Sequence, residues 1–161
     1  MNTYSINPLD NSNMKTQSSI DTQSKSTTPL FALVDRISGN FGPSAHGNRS
    51  HIINNVSEEI FLQVCEEKVA SVLSGLLQIV IGNSENSCVR ISAKLFNNVV
   101  LLHLKDDGCV NYDSISLHLT DVQKQAEKIG GFVGFTSYRN KLTTIAFSFT
   151  NHPDRRPDLL N

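Results

Sequence analysis

The residues best placed to do chemistry are Asp106, Asp107 and Gly108. They follow Val99 to Leu104, an apolar run broken only by His103, which reads as a central strand. A carboxylate at the end of such a strand, beside backbone with no side chain, can meet a ligand with charge and an open amide together. The same triplet also makes an ordinary polar turn, so it means little without the elements around it. Other reactive side chains are scattered. Cys65, Cys88 and Cys109 lack metal-ligand spacing and read as reduced thiols. His46 and His51 lie in or beside a glycine-punctuated stretch and read as loop histidines, and His118 as a polar residue on a helix surface.

The elements that must position Asp106 are legible from periodicity. Val69, Val72, Leu73, Leu76, Leu77 and Val80 share one face of a helix that opens on Glu66-Glu67 and stops at Gly82-Asn83. Val89 to Leu95 alternate strictly, as a strand with one wet face does, and Asn97-Asn98 turns the chain into the apolar run. Ile115, Leu119, Val122, Ala126 and Ile129 mark a second helix, capped by Asp113 or Ser114 and closed by Gly130-Gly131. Strands follow at 132–137 and 142–149. Upstream, 51–55 and 60–64 read as two further short strands. Two helices with one apolar stripe each can cover one sheet face, which predicts an α+β sandwich.

From Asn48 to Thr150 this layout resembles the ATP-binding domain of bacterial sensor histidine kinases, whose superfamily includes gyrase and a family of heat-shock chaperones. The resemblance implies a two-layer sandwich: a mixed sheet of roughly five strands with helices on one face. It also implies a remnant nucleotide site at Asp106, Gly108 and Thr144, with Asp106 on the adenine amino group. The family's Asn-Leu-Leu-x-Asn-Ala motif falls on Gly75 to Val80, which puts Ile79 where the magnesium-holding asparagine stands. Isoleucine offers no oxygen to Mg²⁺. Val110 replaces the second glycine of the Asp-x-Gly-x-Gly motif. Ser116 and His118 replace the phosphate glycines, Leu142 replaces the glycine before Thr143-Thr144, and the lid is almost absent.

Composition sets outer bounds. The 161 residues are 39% hydrophobic with a net charge of −1, enough for one core and too little positive charge to favour nucleic acid. No apolar run reaches the length of a membrane span, so a cytoplasmic protein is expected. Residues 1–29 read as a disordered polar tail, 30–47 as a flexible linker, 48–150 as the degenerate ATPase domain and 151–161 as a frayed C-terminal tail. The expected function is a catalytically inactive accessory module that binds a protein partner, such as a signalling component, without a cofactor. Without bound adenine, Asp106 is expected to be a solvated turn residue. The alternatives are a nucleotide-binding or active kinase-type domain using ATP and Mg²⁺, and an unrelated α+β binding module.

Overall fold

The computed structural model describes residues 27–138 and 142–153. The elements are α1 (Leu30–Gly47), β1 (His51–Asn54), α2 (Glu66–Gly82), β2 (Cys88–Phe96), β3 (Val99–Asp106), α3 (Tyr112–Glu127), β4 (Phe132–Tyr138) and β5 (Leu142–Thr150). The strands form one sheet in the order β1-β2-β3-β5-β4. β1 runs parallel to β2 and every other pair is antiparallel. This is the mixed five-stranded α+β sandwich that pattern and resemblance both called for.

Alternation decides which side of the sheet is covered. Val89 and Ile91 of β2, Val100, Leu102 and Leu104 of β3, and Ile145 and Phe147 of β5 are all fully buried. The stripe of α2 lies in the same core, with Leu73, Leu76 and Leu77 at 0% exposure. Burying one such leucine stabilises the fold by about 1.5–3 kcal/mol. The alternate residues, including Arg90, Lys94, His103 and Lys105, face the open side. The β2–β3 connection is a two-residue hairpin in which Phe96 pairs with Val99. Asn97 takes φ 54° there, a left-handed geometry that asparagine tolerates and tight hairpins need.

Residues 30–47, expected as a flexible linker, form an 18-residue helix. Leu30, Leu33, Val34 and Ile37 are buried at i, i+3, i+4 and i+7 and join the common core. Gly39, Gly42 and Pro43 punctuate only the second half, so the first two turns hold the helix by packing rather than by propensity. Its start is fastened to α2: Thr28 Oγ1 donates to Glu66 Oε2 at 2.5 Å, and Arg36 pairs with the same carboxylate. The strand expected at 60–64 is reduced to one bridge between Phe61 and Pro29. Leu30 N–H donates to Ile60 O and Leu62 N–H to Thr28 O. Pro29 has no N–H to extend the ladder, and α1 begins at the next residue.

The other end of the domain also reaches further than expected. Asn151, assigned to a frayed tail, is 4% exposed. Its side chain donates to Phe61 O at 2.9 Å and accepts from Gln63 N–H at 2.8 Å, and its own N–H donates to Asn98 O. The polar tail expected at 1–29 lies outside the described residues up to position 26, as does the C-terminal segment from 154. No described helix is long and apolar enough to cross a membrane.

Because α1 belongs to the core, Leu33→Ala is expected to cost about 2–5 kcal/mol in urea unfolding of the full chain. A loss below about 0.5 kcal/mol would return α1 to the status of a linker.

Candidate functional site

β3 delivers Asp106 to the junction of α2, β2 and β5, where it is 1% exposed. It is therefore not the solvated turn residue expected. Its Oδ2 lies 2.7 Å from Ser84 Oγ, and its Oδ1 accepts from Gly108 N–H at 3.2 Å. Ser84 Oγ also lies 2.6 Å from Val80 O at the end of α2. One hydroxyl proton thus faces two acceptors. Asp107 turns the other way: its Oδ1 accepts from Cys88 N–H at 2.7 Å, and its Oδ2 stands 3.5 Å from the Arg90 guanidinium.

Gly108 fits because nothing larger can. A Cβ there would lie 2.3 Å from Ser87 Cβ and 2.6 Å from Glu85 O. The close approach allows Glu85 N–H to donate to Gly108 O and Val110 N–H to Asn83 O, zipping the Asp-Asp-Gly loop to the segment after α2. Burial pushes the Cys88 thiol above its ordinary pKa, against the lowering pull of Arg90. It is thus a protonated, unreactive thiol at neutral pH.

Of the three residues expected at a nucleotide site, the structure brings two together. Asp106 and Gly108 share the loop just described. Thr144 does not join them: Thr143 is the register partner of Asp106, and Thr144 pairs with Lys105 on the open face. Sequence reasoning missed Thr143 by one position, which in a strand means the opposite side. Thr143 is 1% exposed, and its Oγ1 has no hydrogen-bond partner. Its neighbour across β4, Ser137, also has a buried hydroxyl without a partner. Both line a cavity of about 340 Å³ with Cys109, Val110, Asn111, Tyr112 and Asp113. Asp106 is not part of that lining. No residue-type motif marks Ser137 or Ser84; only the sheet register and the loop after α2 bring them in.

The positions expected to correspond to Mg²⁺ and phosphate motifs lie on α2 and in α3. Ile79 is half-buried against the core. A Cβ on Gly75 would stand 3.0 Å from Val122 Cγ2, so this face of α2 closes on α3. α3 starts two residues earlier than the earliest expected cap allows: Asn111 is the N-cap, and its Oδ1 accepts from Ser114 N–H at 3.2 Å. A donor that a phosphate would use is thus taken. Ser116 and His118 lie within the helix, exposed, and His118 Nδ1 sits 2.7 Å from Ser114 O. Among the described residues no three His, Cys, Asp or Glu side chains cluster as metal ligands. Mg²⁺ with a triphosphate does not fit this donor set.

Two substitutions test this geometry. Asp106→Asn should leave stability within about 1 kcal/mol of the parent, because its amide can donate to Ser84 Oγ and release the hydroxyl proton to Val80 O. Asp106→Ala should cost about 1–3 kcal/mol, since it leaves Ser84 and Gly108 N–H without that partner. Equal effects of the two in chemical denaturation would contradict the assignment. On the open face, burial first, then Lys105 and Lys94, holds His103 below its ordinary pKa of 6.5. The native state therefore resists protonation, and stability present at neutral pH is lost as pH falls from about 6.5 through the lower folded value. His103→Gln should flatten the fall in Tm between about pH 7 and pH 5; an unchanged slope would assign it to other groups.

No protein-family model matches the chain, and no curated protein matches it in sequence. Solved structures match in fold. Full-length ShkA in complex with AMPPNP superposes at TM-score 0.68 and 18% identity, over 81% of this chain and 32% of that one. The Acinetobacter baumannii histidine kinase AdeS gives 0.67 at 14% identity, over 78% of this chain and 66% of its own. A nucleotide-free catalytic domain of the histidine kinase ThkA gives 0.68 at 15% identity, over 80% and 98%. The chain spans only part of the first two proteins and nearly all of the ThkA domain. Its fold is that of histidine kinase catalytic ATPase domains.

Proposed function

We propose that this chain is a histidine-kinase-type ATPase fold that does not transfer phosphate and acts by binding another protein. The observation that carries this reading is the burial of Asp106. The group the family uses on adenine has both oxygens engaged by Ser84 and Gly108 and does not line the adjoining cavity. The core position of Ile79 and the self-capped start of α3 support it further. Leu117 at 75% exposure and Val110 at 66% stand on the helix and loop where a lid would be, and large exposed apolar side chains suit a protein contact. ThkA has been solved in complex with the response regulator TrrA. By analogy the partner class here is a protein of a two-component signalling system, met in the cytoplasm, with neither nucleic acid nor membrane involved.

One observation favours a second reading. The unpartnered hydroxyls of Thr143 and Ser137 line a cavity of about 340 Å³, which suits a small polar group. A nucleoside or nucleotide held there without magnesium is that reading.

Calorimetric titration of the full chain with Mg-ATP, ATP alone and adenosine, followed by a phosphate-release assay, separates the two. The expected result is no magnesium-dependent heat and no phosphate release. Micromolar, magnesium-dependent binding would sink the proposal and restore an active kinase-type domain. Weak, magnesium-independent binding of adenosine, abolished by Thr143→Val, would establish the second reading.

A further inference from the structure

β4 is an edge of the sheet. Proteins blunt such edges with short strands, prolines, charges or bulges, because exposed backbone invites another strand. The opposite edge, β1, has four residues. β4 has seven, Phe132-Val133-Gly134-Phe135-Thr136-Ser137-Tyr138, with no proline and no charge. Its register against β5 runs without a bulge.

One hydrogen bond fixes which backbone groups face out. Val133 N–H donates to Gln123 Oε1 of α3 at 2.6 Å, so Val133 faces away from β5. The N–H and C=O of one residue in an antiparallel strand point the same way, and the direction alternates. Phe135 and Ser137 therefore also turn their backbone groups outward, while the alternate residues bond β5.

We propose that β4 pairs antiparallel with β4 of a second copy of this chain, about a two-fold axis through Phe135, joining two five-stranded sheets into one. In this register Phe135 faces Phe135 of the second copy and exchanges two hydrogen bonds with it. Ser137 N–H donates to Val133 C=O of the second copy, and the reciprocal bond forms. Pairing displaces Gln123 Oε1 from Val133 N–H, and Ser137 C=O of the second copy takes its place, so the reciprocal pairs bring the total to six bonds.

The side chains choose a second copy over an unrelated peptide. Phe132 and Tyr138 are equally far from Phe135, and they are 62% and 64% exposed on the same open face. Two-fold pairing puts each ring opposite the other kind, giving two aromatic cross-strand pairs. Gly134 meets Thr136 between them, and no charge meets its like. An unrelated strand would satisfy the backbone but would match both rings only by accident. The strand is short compared with standard interfaces, so association should be weak, with a midpoint between about 1 µM and 1 mM.

The test is sedimentation equilibrium of the full chain from about 10 µM to about 1 mM, beside two variants. The parent is expected to move from monomer to dimer. Ser137→Pro removes an outward N–H, and with it two of the six bonds, while sparing the β5 ladder. Thr136→Lys puts two like charges close to the axis on an exposed position. Both variants should stay monomeric at every concentration, with circular dichroism and Tm close to the parent. If Ser137→Pro fails to fold, Thr136→Lys decides. A parent that remains monomeric at about 1 mM overturns the proposal, and so does a dimer that Thr136→Lys leaves intact. None of these outcomes depends on nucleotide binding or on a signalling partner.

Discussion

The structure depends on a shortage of one proton. Ser84 Oγ sits between Val80 O and Asp106 Oδ2 with a single hydrogen to give. The first acceptor ends α2; the second ends the central strand. Holding both fixes the angle at which the helix leaves the sheet, and the zipper from Asn83 to Val110 follows from it. Asp107, one residue on, ties the start of β2 through Cys88 N–H. Two adjacent carboxylates pointing to opposite sides thus close the junction of three elements. A buried carboxylate is costly unless hydrogen-bonded, and this one has partners on both oxygens. The loop that resembles a ligand site is also a structural joint.

The parts legible in the sequence share a cause. α2, the β2–β3 hairpin, α3 and β5 each bury one face, and one-sided burial writes its period into residue order. Leu76 and Leu77 reveal α2 because leucines three and four residues past Leu73 share one buried helix face. α1 was hidden because its apolar stripe thins after Ile37 to Phe41 and Ala45, among Gly39, Gly42 and Pro43. Composition read those breakers as a loop, and tertiary packing overrode them. The site was harder for a different reason. Thr143 and Thr144 differ by one step along a strand, and only pairing with Asp106 or Lys105 tells them apart. Asn151 had no local signal at all, since its side-chain partners Phe61 and Gln63 lie some ninety residues upstream.

Core and site have separate fates in this fold because they use different residues. Leu76 and Leu77 pack under the sheet, and Gly75 and Ile79 on the same helix take part in the packing beside them. The exchange is coherent: with no side chain on Gly75, Val122 of α3 comes close, and with Asn111 as its cap α3 begins directly after the loop. The first brings α2 and α3 together, and the second shortens the path from β3 to α3. A triphosphate needs that path to be long and its amides free.

Closing one face leaves the other to carry interactions. The helices hold carboxylates at Asp35, Glu66, Glu67, Asp113, Asp121 and Glu127, whereas the open sheet face sets Arg90 directly across from Lys105, with Lys94 two positions along β2. Like charges opposite one another on a sheet cost stability, and Asp107 relieves only the Arg90 end. His103, between these cations, resists protonation through burial first and the charges of Lys105 and Lys94 second. A face that keeps uncompensated positive charge beside exposed Phe96 and Phe132 does nothing for the core beneath it.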